Sequence, residues 1–207
     1  IALYIRTIIT LLVSLYASRV ILAALGIEDY GIYSVVGGFV SMFALISNSM
    51  TTAIQRFLTF ELGRGDIDRL SKVFSLSIWI LIGISLIIFI ATELIGLWYL
   101  NNVMVVPDNR IAVSKLVFHI SVLTFIVNLI STPYSALIVA HERMDIYAYQ
   151  SIFDSILKLL ICFLVMRSPI DKLIYYSLLL LGVAVANLLF YLLFCRNNFS
   201  KYCSISF

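Results

Sequence analysis

Asp154 and Lys158 stand four residues apart inside an otherwise apolar stretch, the spacing that puts a carboxylate and an ammonium on one helical face. Two readings of the pair are open: an internal ion pair that cancels its own charge, and a site of ion coupling. Arg19 is a second charge within an apolar run, six residues before Leu25. It is either a snorkelling or helix-pairing arginine or a cation of a wet cavity. Ser34, Gly38, Ser41, Asn48, Thr52 and Gln55 fall within about 100° of one another on a helical wheel. Small residues explain the upper part of that stripe by close packing, whereas Asn48 and Gln55 require either partners on another helix or a wet cavity. Asn128 precedes Ser131, Thr132 and Pro133, where the proline frees a carbonyl near Leu129 and predicts a kink. Arg19, the polar face of the second span and Asn128 are expected to converge on one side of the bundle. Together these groups can bind but not react. No nucleophile with a base, no metal-ligand cluster and no phosphate-binding loop occurs, so neither catalysis nor a cofactor or metal is expected.

The elements that must hold these groups are apolar helices. The chain is 62% apolar and 12% charged, with a mean hydropathy of +1.08, a composition that requires lipid. Six apolar runs, at about 3–25, 32–54, 74–97, 116–139, 147–166 and 173–194, are each long enough to cross a hydrocarbon layer of about 30 Å. Turns are predicted at 26–31, 56–72, 98–115, 140–147 and 167–172, and residues 195–207 read as a tail or the start of a linker. In the first span Thr7, Thr10, Ser14, Ala17 and Ser18 form a small, weakly polar stripe that should face other helices, leaving Ile8, Leu11, Leu12 and Val20 to lipid. Arg6 sits near the starting end and can snorkel. Gly63 to Asp66 reads as a turn, with Asp66 as N-cap of the next helix. The third span is the most uniformly apolar and should face lipid broadly; its one charge is Glu93, near Trp98 and Tyr99. Glu142 and Arg143 read as a solvated turn. The net charge of +3 is scattered through short loops and gives no nucleic-acid footprint, and the three cysteines suggest neither a disulfide framework nor a metal site.

Lys and Arg in the connections divide seven (Arg56, Arg64, Arg69, Lys72, Arg143, Arg196, Lys201) against four (Arg110, Lys115, Arg167, Lys172). The richer side is expected to be cytoplasmic, which places the N-terminus and the tail inside. A start at Ile1, without an initiator Met, reads as a fragment.

Ser18-Arg19 with Leu25-Gly26-Ile27-Glu28-Asp29-Tyr30-Gly31-Ile32-Tyr33, then Gln55-Arg56-Phe57-Leu58-Thr59-Phe60-Glu61-Leu62-Gly63-Arg64-Gly65-Asp66, then Pro133-Tyr134 and Ala140-His141-Glu142-Arg143-Met144, resemble the polysaccharide flippases of lipopolysaccharide and capsule biosynthesis. These belong to the multidrug/oligosaccharidyl-lipid/polysaccharide exporter superfamily. The resemblance runs from about Tyr4 to Phe194. It implies an all-α membrane protein whose six helices form one lobe of a twelve- to fourteen-helix transporter, the C-terminal lobe being absent from this chain. It further implies flipping of a polyprenyl-pyrophosphate-linked oligosaccharide across the bacterial cytoplasmic membrane by alternating access, with membrane lipids as the surrounding partners. Arg19, Asn48, Thr52, Gln55, Asn128 and Lys158 are the candidate substrate contacts, and Asp154 is the candidate for ion coupling. The alternatives are an ion-coupled drug exporter of the same superfamily, which needs an uncompensated carboxylate deep in a span, and a membrane polymerase or ligase of glycan assembly. The latter usually carries a large external loop, and the longest here is about 101–115.

Overall fold

A computed structural model describes residues 2–102, 107, 110–168 and 171–199. Among them the chain forms six α-helices: α1 (Ala2–Ser41), α2 (Ala44–Arg64), α3 (Ile67–Asn102), α4 (Ile111–Ala140), α5 (Met144–Met166) and α6 (Lys172–Asn198). Five helices are long and apolar enough to cross a membrane, the exception being α2, which carries Asn48, Thr52 and Gln55.

The first turn is far tighter than the sequence suggests. Helical structure in α1 is broken only at Gly26, with φ 82° and ψ 172°, and Glu28, Asp29 and Gly31 already belong to the next helical arm. Glycine alone takes this left-handed φ without a Cβ penalty. The chain nevertheless reverses here. Arg6 lies over Tyr147, and Ala17 and Ile21 share a core cluster with Ile161 and Cys162, so arm 2–25 runs parallel to α5. Asp29 meets Arg110, Phe39 meets Phe118 and Phe43 meets Phe125, so arm 27–41 and the start of α2 run parallel to α4. Helices α4 and α6 are also parallel, through Arg110 with Asp171 and Tyr134 with Cys195. Helix α5 opposes α6, through Gln150 with Tyr191 and Asp154 with Asn187. Helix α3 opposes α4, Phe74 packing on Tyr134 and Glu93 bonding His119. The path therefore makes six passes of alternating direction, with five reversals.

The second expected span, 32–54, is interrupted at Met42–Phe43, where Met42 N–H and Phe43 N–H reach back only three residues, to Phe39 and Val40. Its polar end continues as helix to Arg64, so the expected 56–72 connection shrinks to Gly65 and Asp66. Polar residues beyond the apolar run satisfy their backbone groups as well in a helix projecting into water as in a loop, and the helix wins. Gly65 ends α2 in the left-handed conformation, and Asp66 Oδ1 accepts from Arg69 N–H at 3.0 Å, the N-cap the sequence predicts. Helix extension likewise shortens the connections expected at 98–115 and 140–147. Asp108, Pro169 and the tail beyond residue 199, with Lys201 and Cys203, lie outside the described residues.

Two large apolar blocks, with a small third one of Val36, Phe118 and Val122, hold the bundle. Leu58, Phe74, Leu129, Leu137 and Cys195 centre the one at the Gly65 end, and Val117, Ile161, Cys162, Val165 and Leu173 the one at the Arg110 end. Outside them, Ile8, Leu11, Leu12 and Leu15 of α1 and Leu76, Ile80, Leu86, Ile87, Ile90 and Leu94 of α3 are exposed, forming the apolar shell a lipid-facing bundle needs. Ile8, Leu11 and Leu12 thus face outward as expected, while Val20 is half-buried against the core.

At the Arg110 end, one guanidinium joins three connections. Arg110 Nη2 lies 3.1 Å from Asp29 Oδ2 of the α1 arm, and Nη1 contacts Asp171, the N-cap of α6. Lys172 Nζ donates to the Ala24 carbonyl at 3.1 Å, satisfying an acceptor that the Gly26 break would leave without its helical donor. These contacts put the first, third and fifth connections on the same end of the bundle.

Candidate functional site

A groove of about 480 Å³ opens between the first arm of α1 and α5, with Tyr176 of α6 at its inner wall. The α1 side supplies Arg6, Thr10, Ser14, Ala17 and Ser18. All but Arg6 belong to the stripe that the sequence turns toward other helices; their small side chains fill little of the space between α1 and α5 and so leave the groove open. The α5 side supplies Gln150, Ser151, Asp154, Ser155 and Lys158, residues that recur at three and four and so share a face.

The polar groups are mostly satisfied locally. Thr10 donates to the Arg6 carbonyl at 2.9 Å, Ser18 to Ser14 at 2.8 Å, Ser151 to Tyr147 at 3.0 Å and Ser155 to Ser151 at 2.9 Å, each along its own helix. Their protons are committed and their oxygens face the groove as acceptors. Lys158 Nζ lies 2.7 Å from Asp154 Oδ2, and Asn187 Nδ2 donates to Asp154 Oδ1 at 2.7 Å. The carboxylate is thus held from two sides. Tyr191 donates to Gln150 Oε1 at 2.7 Å, fixing the amide. The Arg6 guanidinium sits 5.1 Å from the Tyr147 ring centroid. With two cations and one carboxylate the groove carries a net positive charge, which suits an anion flanked by hydrogen-bond donors.

The expected convergence of Arg19, the α2 stripe and Asn128 is not what forms. Arg19 is exposed and does not line the groove, although its neighbour Ser18 does; one residue along a helix is about 100° of rotation. Asn48 and Thr52 are exposed and Gln55 is half-buried on α2, and these three line neither cavity. The break at Met42–Phe43 resets the helical phase, so a stripe continuous on an ideal wheel does not stay continuous in space. Asn128 lines a second, smaller cavity of about 230 Å³ between α1, α4 and α6. Lys158 and Asp154 are in the groove as a formed pair. Sequence reasoning missed Arg6 as a groove cation, Gln150 as a groove amide and Asn187 as the partner of Asp154. The α5 face Tyr147, Gln150, Ser151, Asp154, Ser155, Lys158 was the available signal.

Comparison with known proteins agrees with this architecture. No curated protein and no solved structure matches the chain. A family model, MatE, matches residues 4–164, which takes in the broken hairpin, most of α5 and the groove residues other than Tyr176. An all-helical bundle of this kind is one half of a MATE-like transporter, and proteins of the family are transporters rather than enzymes. The chain, a multi-pass membrane protein by its five apolar helices and by this match, belongs to the MatE family.

Proposed function

We propose that the transporter to which this bundle belongs moves a polyprenyl-pyrophosphate-linked oligosaccharide across the bacterial cytoplasmic membrane, with the α1–α5 groove taking the pyrophosphate. The observation that carries the reading is the placement of Arg6 and Lys158 on facing walls of one polar groove within an apolar shell. A charge in such a shell is retained where it meets a ligand or a water-filled path. Asp154 already bonds Lys158 and Asn187, which leaves it less suited to carry a coupling ion by itself. A second, C-terminal bundle supplies the other wall of the path and the surface against which this one rocks. The N-terminus and the Gly65 end face the cytoplasm, following the excess of Lys and Arg there.

Complementation of surface glycan in a flippase-null strain, with membrane abundance measured for each variant, tests the reading. Each lost charge-assisted contact of about 1.5 to 3 kcal/mol corresponds to roughly a ten- to hundredfold loss. Arg6→Gln and Lys158→Gln are each expected to lose function by that order, and Arg19→Ala, outside the groove, to lose less. Failure of the full-length parent to restore glycan from its own gene cluster would end the proposal. The second reading, an ion-coupled drug exporter, rests on Asp154 lining the same groove. It predicts instead that the parent confers drug resistance and that Asp154→Asn abolishes it.

A further inference from the structure

We propose that the cavity around Asn128 is a sugar subsite, and that with the charged groove it forms one binding path sorted by charge; the proposal rests on the glycolipid reading above. The cavity, between the second arm of α1, α4 and α6, has no Asp, Glu, Lys or Arg in its wall. It is polar all the same. Ser41 donates to the Gly38 carbonyl at 2.7 Å, Thr124 to Ile120 at 2.7 Å and Ser177 to Ile174 at 2.9 Å, so each hydroxyl has spent its proton and presents lone pairs. The Asn128 side-chain amide and the Ser121 hydroxyl have no protein partner among the described residues and supply both donors and acceptors.

This lining discriminates among ligand classes. An anion finds no cation, and a cation finds no carboxylate to repay its lost hydration. An apolar ligand would strand the exposed acceptors. A neutral, donor-rich molecule matches, and the flat faces of Tyr33 and Phe125 suit the apolar faces of a pyranose ring.

Two further features mark the place of this cavity beside the groove. Tyr33 of the cavity and Tyr176 of the groove pack edge to face, with ring centroids 5.0 Å apart, so one aromatic pair is the wall between them. The cavity also abuts the helix break that follows Ser41, the kind of interruption by which transporter helices line a midplane site. A glycolipid head can therefore place its pyrophosphate in the groove beside Lys158 and its first sugars across the tyrosine pair.

The test compares binding of two probes to the full-length transporter in detergent: farnesyl pyrophosphate, and farnesyl pyrophosphate carrying a disaccharide. Asn128→Leu and the isosteric Thr124→Val are each expected to weaken the saccharide probe about tenfold and leave farnesyl pyrophosphate unchanged. Lys158→Gln is expected to weaken both. If Thr124→Val and Asn128→Leu leave the preference for the saccharide probe unaltered in folded protein, the subsite is overturned while the groove assignment stands. If the wild type binds neither probe, the glycolipid reading falls, and the subsite with it.

Discussion

Replacing Arg110 by Gln removes the cation that bridges Asp29 and Asp171. Asp29 is the critical partner: its side chain is only 9% exposed, its Oδ2 sits 3.1 Å from Arg110 Nη2, and its Oδ1 has no hydrogen-bond partner. Without the guanidinium a buried carboxylate is left beside a second carboxylate. Breaking a buried pair from one side costs about 3 to 5 kcal/mol, far more than the ~0 to 1 kcal/mol of an exposed pair. Arg110 itself is 29% exposed and Asp171 27%, so some water reaches the cluster and the lower end of that range, about 3 kcal/mol, is expected. For a domain of this size each kcal/mol moves the melting midpoint by roughly 2 to 4 °C, giving a fall of about 6 to 12 °C for Arg110→Gln. Asp171→Asn should fall far less, because Asn can keep the α6 N-cap to Leu173 N–H and Arg110 still faces Asp29. Combining Asp29→Asn with Arg110→Gln should recover much of the loss, since the buried charge is then gone. The assay is thermal unfolding of detergent-solubilised protein followed by size-exclusion chromatography. An Arg110→Gln midpoint within about 1 °C of wild type, or a double variant as unstable as the sum of the singles, would refute the argument.

Gly96→Ala should be disruptive, because a methyl there runs into the ring of Phe118, which is 2% exposed and unable to retreat; a cost of about 1 to 3 kcal/mol is expected, with Phe118→Leu restoring stability in the double variant. Gly26→Ala meets no neighbour yet should lower the melting midpoint through backbone strain alone, by roughly 1 to 2 kcal/mol; an unchanged midpoint would show that the break tolerates a Cβ. Single cysteines at Asp68 and Arg167, in a background with Cys162, Cys195 and Cys203 replaced, should be labelled from opposite sides of the membrane, Asp68→Cys from the cytoplasm; labelling from the same side would contradict the six alternating passes.

The apolar runs determined by themselves that this chain is a helical membrane bundle, since no arrangement in water buries a chain that is 62% apolar, and only helices satisfy the backbone in lipid without closing a barrel. Local chemistry was legible too. The Asp154 and Lys158 pair, the Asp66 cap and the small stripe of the first span each follow from spacing within one helix. What spacing cannot carry is phase across a break. Gly26 in place of a six-residue turn, and the interruption at Met42–Phe43, rotate everything beyond them by amounts no helical wheel contains, so the Asn48, Thr52 and Gln55 face and Arg19 do not meet Asn128. Partners distant in the chain were equally closed to sequence reasoning. Asn187 on Asp154, Tyr191 on Gln150 and Arg110 between Asp29 and Asp171 exist because antiparallel and parallel neighbours bring together residues that are 33 to 81 positions apart. Residue type alone decides which groups cannot lie in lipid by themselves, and the packing of the helices decides which of them share a cavity.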